Sequence, residues 1–187
     1  MAYIKKVDEA LLTRLEEFHG MLVPGLLIGA YMVEMAYENI GDAEFVDAVA
    51  ESRKCIVDAV QLMTSCTVGN GWLKVYDWGV FAITLYDKRA KKGVRVYLDT
   101  DKIPKESLTY KWFFREIGKS SHPDVVKELL EFKKSVLSFE VVNVNIKKPK
   151  RGEIKVCTKC SAPFPSLGED ECKSCSSNDK YYSVSGN

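Results

Sequence analysis

The 187-residue sequence has no long apolar run, no excess of either charge and no spread of cysteines. Each absence excludes a class of protein. The most apolar stretch, Met21 to Val33, carries Pro24, Gly25 and Gly29 and stops at Glu34. A membrane span needs about 20 apolar residues, so no transmembrane helix is expected. The first dozen residues lack an uninterrupted apolar stretch and a small-residue cleavage pattern, so no signal peptide is expected and the cytoplasm is the predicted location. Lys plus Arg (27) nearly balance Asp plus Glu (26), which argues against a protein held on nucleic acid by counterion release. No internal repeat or low-complexity tract is visible.

What is present suits a soluble globule: 46% hydrophobic and 28% charged residues supply a core and a solvated surface. Asp8 is placed to cap a helix with Leu11, Leu12, Leu15 and Phe18 on one face. Gly20 and Pro24 break it, and a second helix runs from Pro24 to the stop signal Asn39-Ile40-Gly41. Glu44 to Ala50 reads as a strand and Arg53 to Met63 as a helix. Val68-Gly69-Asn70-Gly71 then leads into three β-rich runs, Leu73 to Tyr76, Val80 to Tyr86 and Val94 to Leu98, which predict an antiparallel meander. Pro104 to Ile117 reads as a further helix. Another begins at Ser121-His122-Pro123-Asp124 and carries Val125, Val126, Leu129, Leu130 and Leu137. Phe139 to Ile146 alternates as a final strand. Lys147-Lys148-Pro149-Lys150-Arg151-Gly152 marks a boundary between a domain at 1–150 and a small one at 151–187. The predicted fold class is α+β, helices on an antiparallel sheet, with a treble-clef or ribbon-like four-cysteine appendage.

Four of the six cysteines crowd into that appendage as Cys157-x2-Cys160 and Cys172-x2-Cys175. Two thiolate pairs at this spacing can grip one tetrahedral ion at metal–sulfur distances of about 2.3 Å. Ser161 to Glu171 between them holds two prolines, a glycine and little apolar material, so this segment needs a metal to fold. Zinc is the expected cofactor; iron in a rubredoxin-like site and a disulfide pair are the alternatives. Four thiolates close the coordination sphere, which makes the site structural rather than catalytic.

The larger domain carries four polar, glycine-containing phrases: Phe18-His19-Gly20-Met21-Leu22-Val23-Pro24-Gly25, Cys55-x2-Asp58-Ala59-x-Gln61, Cys66-Thr67-x-Gly69-Asn70-Gly71 and Asp77-x-Gly79. His19, Cys55, Asp58, Gln61, Cys66 and Asn70 are the candidate groove residues. They could hold a metal or a polar ligand. Read as ordinary structure, His19 ends a helix as a hydrogen-bonded group, Cys55 lies on an apolar helical face and Cys66 is a packed thiol. A thiol enzyme with Cys66 as nucleophile and His19 as base would need the two within hydrogen-bond reach.

Together the phrases resemble the FmdE family, that of the E subunit of formylmethanofuran dehydrogenase, in which the first phrase usually reads F-H-G-H-x-C-P-G. Here Met21 takes the place of the second histidine and Val23 that of the cysteine. The resemblance implies an α+β core, commonly dimeric, with a groove lined by these phrases and an association with molybdenum- or tungsten-dependent methanogenic enzymes. Homodimerisation, an accessory role beside oxidoreductase subunits, and a small polar ligand in the groove are therefore expected; the helix from Pro24 to Tyr37, whose apolar surface is more than one layer of a domain this size would bury, also favours the dimer. With two donor positions lost, weak or no metal affinity is expected of the larger domain. The alternative is an interaction module whose zinc knuckle and Lys147 to Arg151 strip dock a protein or, less in keeping with the net charge, a nucleic acid.

Overall fold

In the computed structural model, residues 6–147, 150–178 and 182 are described, and the chain falls into two compact units, 1–145 and 146–187. Lys148 and Pro149 of the expected linker lie outside the described residues.

The larger unit is built around one helix. α1 (Glu9–His19) starts where the Asp8 carboxylate accepts from Leu11 N (2.9 Å), and it stops at Gly20, whose φ of 89° closes the helix in the left-handed region. After Leu22 and Val23, Pro24 opens α2 (Pro24–Asn39). From Pro24 to Val33 the second helix is apolar on every side, because α3 (Ile56–Met63), the sheet and α5 (His122–Phe132) each pack against it. Leu26, Leu27, Ile28, Met32 and Val33 are all buried within one chain. Gly29 permits the closest crossing, where an added Cβ would lie 2.9 Å from both Ala59 Cβ and Ile56 Cα.

Five strands form one sheet in the order β2-β1-β3-β4-β5: β1 (Val46–Ala50), β2 (Leu73–Val75), β3 (Ala82–Asp87), β4 (Lys92–Leu98) and β5 (Leu137–Asn143). The three runs do not form the expected antiparallel meander. β2 pairs parallel with β1, and β1 rather than β2 is the neighbour of β3, so the sheet is mixed. The reason is the crossover, since α3 and the turn after it carry the chain back beside β1 in the same direction. The chain then passes over the end of β1, where Trp78 N and Val80 N donate to Glu51 O. Ala48, Ala50, Ile83, Leu85, Val94 and Val96 face the helices and belong to the core. On the other face Arg95 bridges Glu51 (2.6 and 2.8 Å) and Glu140 (2.9 Å) across the strands.

α4 (Leu108–Phe113) occupies the middle of the span expected to be helical. Ser121 makes no side-chain cap to α5; a 3-10 turn at Lys119–Ser121 leads in instead. Leu137 does not extend α5. That helix ends at Phe132, a 3-10 turn covers Lys133–Val136, and Leu137 opens β5.

The smaller unit has a two-stranded hairpin, β6 (Glu153–Val156) with β7 (Pro163–Ser166), and a one-turn helix α6 (Lys173–Ser176). Among the described residues, no helix is long and apolar enough to cross a membrane.

Candidate functional site

The αL turn at Gly20 leaves His19 at the end of α1 facing α3, where Asp58 sits in the first turn. His19 Nδ1 and Asp58 Oδ2 are 2.6 Å apart, and both side chains are partly exposed. A carboxylate on Nδ1 favours the tautomer protonated there, which leaves the Nε2 lone pair for a ligand. Gln61, one turn further along α3, donates from Nε2 to Asp58 Oδ1 (3.4 Å) and accepts on Oε1 from Val68 N (3.1 Å). Three phrases distant in sequence thus form one hydrogen-bonded chain, His19 to Asp58 to Gln61 to Val68.

Asn70 acts behind that chain. Its Oδ1 accepts from Thr67 N (3.1 Å) and Trp72 N (2.9 Å), and its Nδ2 donates to Ser65 O (2.7 Å). The left-handed position of this turn belongs to Gly71 (φ 74°), so Asn70 shapes the loop through its side chain rather than its backbone. Sequence reading missed the Val68 amide as a participant; the reciprocal Thr67-x-x-Asn70 pairing, closed by Asn70 N to Thr67 Oγ1 (3.0 Å), is the signal that could have found it.

Neither core cysteine thiol joins that chain, although the Cys55 carbonyl accepts from Asp58 N (3.1 Å). Cys66 is fully buried and donates its thiol to Val46 O (3.2 Å). Burial pushes the thiol up to about 11, so roughly one molecule in ten thousand carries the thiolate at neutral pH. With His19 engaged by Asp58 and Cys66 by a backbone carbonyl, the nucleophile–base pair is not assembled. Cys55 is half-buried at the N-terminus of α3, beside the position of Gly25, and burial raises its pKa as well. Val23 lies in the core, whereas Met21 is exposed.

In the smaller unit, Cys157 and Cys160 follow β6, and Cys172 and Cys175 flank the start of α6. Their four Sγ atoms lie within 4.8 Å of one another, with Cys160 and Cys172 at 3.8 Å. Tetrahedral ligation at about 2.3 Å places sulfurs roughly 3.8 Å apart, so the donor set fits one metal ion. The Cys172 amide donates to Cys157 Sγ (3.3 Å) and holds that thiol down to about 6. Cys175, hydrogen-bonded to Cys160, is pushed up to about 12. A cation is what would let all four ionise together.

A family model described as "FmdE, Molybdenum formylmethanofuran dehydrogenase operon" matches residues 18–144, about two thirds of the chain and all of the hydrogen-bonded chain above. The chain belongs to the FmdE family. A solved structure of a tungsten formylmethanofuran dehydrogenase FmdE-like protein, from Syntrophus aciditrophicus, superposes with a TM-score of 0.83 at 37% identity, covering 93% of this chain and 94% of that one. The FmdE-like α+β architecture therefore holds for nearly the whole length. A protein of Archaeoglobus fulgidus named "Probable S-adenosyl-L-methionine-binding protein" is 31% identical over 94% of this chain. The chain spans 54% of the length of that relative.

Proposed function

We propose that the larger unit is a ligand-binding accessory module of molybdenum- or tungsten-linked oxidoreductase metabolism, and that the smaller unit holds one structural zinc ion. The observation that carries the first part is the ordered imidazole: Asp58 fixes His19 through Nδ1, Gln61 fixes Asp58, and the loop held by Asn70 fixes Gln61. A histidine so oriented presents Nε2 to a small polar ligand at low reorganisation cost. The family supports the metabolic link, and cytoplasmic location and homodimerisation go with it as part of the same proposal.

S-adenosylmethionine is the first ligand to test, on the strength of the Archaeoglobus relative's name. Its sulfonium would favour a carboxylate such as Asp58, and its adenine would favour an exposed aromatic side chain such as Phe18, next to His19. Titration calorimetry on the full chain checks this. Binding that weakens about tenfold or more in His19→Ala and Asp58→Asn supports the site, by the loss of one or two hydrogen bonds to a charged group. Binding unchanged in both variants places the ligand elsewhere. For the tail, elemental analysis should give one zinc per chain, lost in Cys157→Ser and Cys172→Ser; equal metal content in the variants would reject it.

A further inference from the structure

The hairpin of the smaller unit has two unlike edges. Cys157 N donates to Ala162 O (2.9 Å), which makes those residues a hydrogen-bonded rung. Rungs recur every second residue in an antiparallel pair, so Lys155 and Phe164 face inward next, then Glu153 and Ser166. The backbone groups of Ile154 and Val156 on β6, and of Pro163 and Pro165 on β7, therefore point outward. Both outward positions of β7 are proline, which has no N–H, so that edge offers acceptors alone and resists pairing. The β6 edge has no such protection. It is closed beyond Val156, where Thr158 N donates to Asp170 O (3.0 Å); among the described residues, nothing pairs with it at Ile154 and Val156.

The side chains of these four residues share one face, since cross-strand partners lie on the same side of a sheet. Ile154 is 72% exposed and Val156 64% exposed, with Pro163 and Pro165 exposed beside them. Cys157, Lys155 and Phe164 lie on the opposite side by the same alternation. An unprotected strand edge bearing bare apolar side chains is a template for an added strand.

Charge selects the occupant. Residues 146–187 hold eight cations against five anions. Asp170 is tied to Lys155 (3.3 Å) and Glu171 to Lys159 (2.9 Å), while Glu169 accepts from Leu167 N (2.7 Å). Among the described residues, exposed Lys147, Lys150 and Arg151, leading into β6, make no ion pair; the exposed Glu153 at the start of β6 is unpaired too, which leaves two cations in excess there. A metal tetrathiolate would add negative charge at Cys157, on the face opposite the apolar side chains, but it lies beyond the end of β6 while Lys150 and Arg151 lie before its start.

We propose that the outer edge of β6 receives an extended acidic segment of a partner protein as a third strand. Its apolar side chains cover Ile154 and Val156, its backbone pairs with the N–H and C=O of those two residues, and the carboxylates at its end beside Lys150 and Arg151 meet the unpaired cations. This goes beyond the ligand-binding reading of the larger unit and does not depend on it.

The probe is a short peptide alternating glutamate and valine, added to the zinc-loaded full chain and followed by the amide resonances of Ile154 and Val156. Both amides should shift and exchange more slowly with solvent, and a peptide alternating lysine and valine should leave them unmoved. Ile154→Pro removes one outward N–H and spares the inward rungs, so zinc content should stay at one per chain while peptide affinity falls about tenfold. If that variant loses zinc, Val156→Glu replaces it, leaving the backbone intact and setting a carboxylate against the peptide. Unmoved amides, undiminished affinity in the zinc-loaded variant, or displacement by oligothymidylate in place of the acidic peptide would each overturn the proposal, the last by making the strip a nucleic-acid surface.

Discussion

Cys66 and Asn70 belong to the same phrase, yet they do different work. Asn70 ties three backbone groups of one turn, and Cys66 fills the core beneath β1. The buried thiol has a consequence for stability. Its folded pKa, about 11, lies above the ordinary thiol value of about 9, so between those values the native state holds a proton that the unfolded state has released. Stability is therefore fully present below pH 9 and falls as pH rises toward 11. Tyr86, buried beside Asp47 and pushed up to about 12, adds to the same alkaline loss. Denaturant titrations across this range should give a steeper decline for the native sequence than for Cys66→Ala, and equal slopes would mean that Cys66 titrates normally. The pattern of residue types made His19, Asp58 and Gln61 legible as candidates, because Asp58 and Gln61 are one helical turn apart. The 2.6 Å contact of His19 with Asp58, 39 residues away, was not legible, since no local rule relates α1 to α3.

Among the elements, α2 is the one whose role changed most on folding. In the sequence its apolar surface reads as more than one layer could bury, which would favour a dimer. In the fold, α3, the sheet and α5 cover it within a single chain, so α2 has no apolar face left for a partner, and the proposal of a homodimer rests on the resemblance to the family. The α2–α3 crossing depends on Gly29. A methyl there meets Ala59 Cβ and Ile56 Cα at 2.9 Å, and the Ile56 backbone cannot rotate aside. Gly29→Ala should cost about 1–3 kcal/mol in urea unfolding, despite alanine's better helix propensity. A stabilised variant would show that the helices can part without loss. Light scattering tests the dimer separately, a mass near 21.1 kDa excluding it.

At the scale of the full chain, the two units should respond differently to chelation. The larger one has its own core of more than two dozen buried apolar residues, and the smaller one has a four-residue-per-strand hairpin, one helical turn and four cysteines. Metal removal should unfold the smaller unit and leave the larger one's thermal transition in place. Calorimetry with and without a chelator checks this; a shared loss of both transitions would mean that they fold as one. Local spacing was enough to specify the helix starts and stops around Asp8, Gly20 and Pro24, the five strand segments of the larger unit, and the two CxxC pairs, whose loops need only a few residues to bring their sulfurs together; the hairpin β6–β7 was not read from the sequence. Folding in three dimensions settled which strand lies beside which, whether Cys66 faces a groove or the core, and that His19 finds Asp58. Those depend on pairing segments tens of residues apart, and the pleat and the helical turn, which fix a residue's face, do not fix its neighbour.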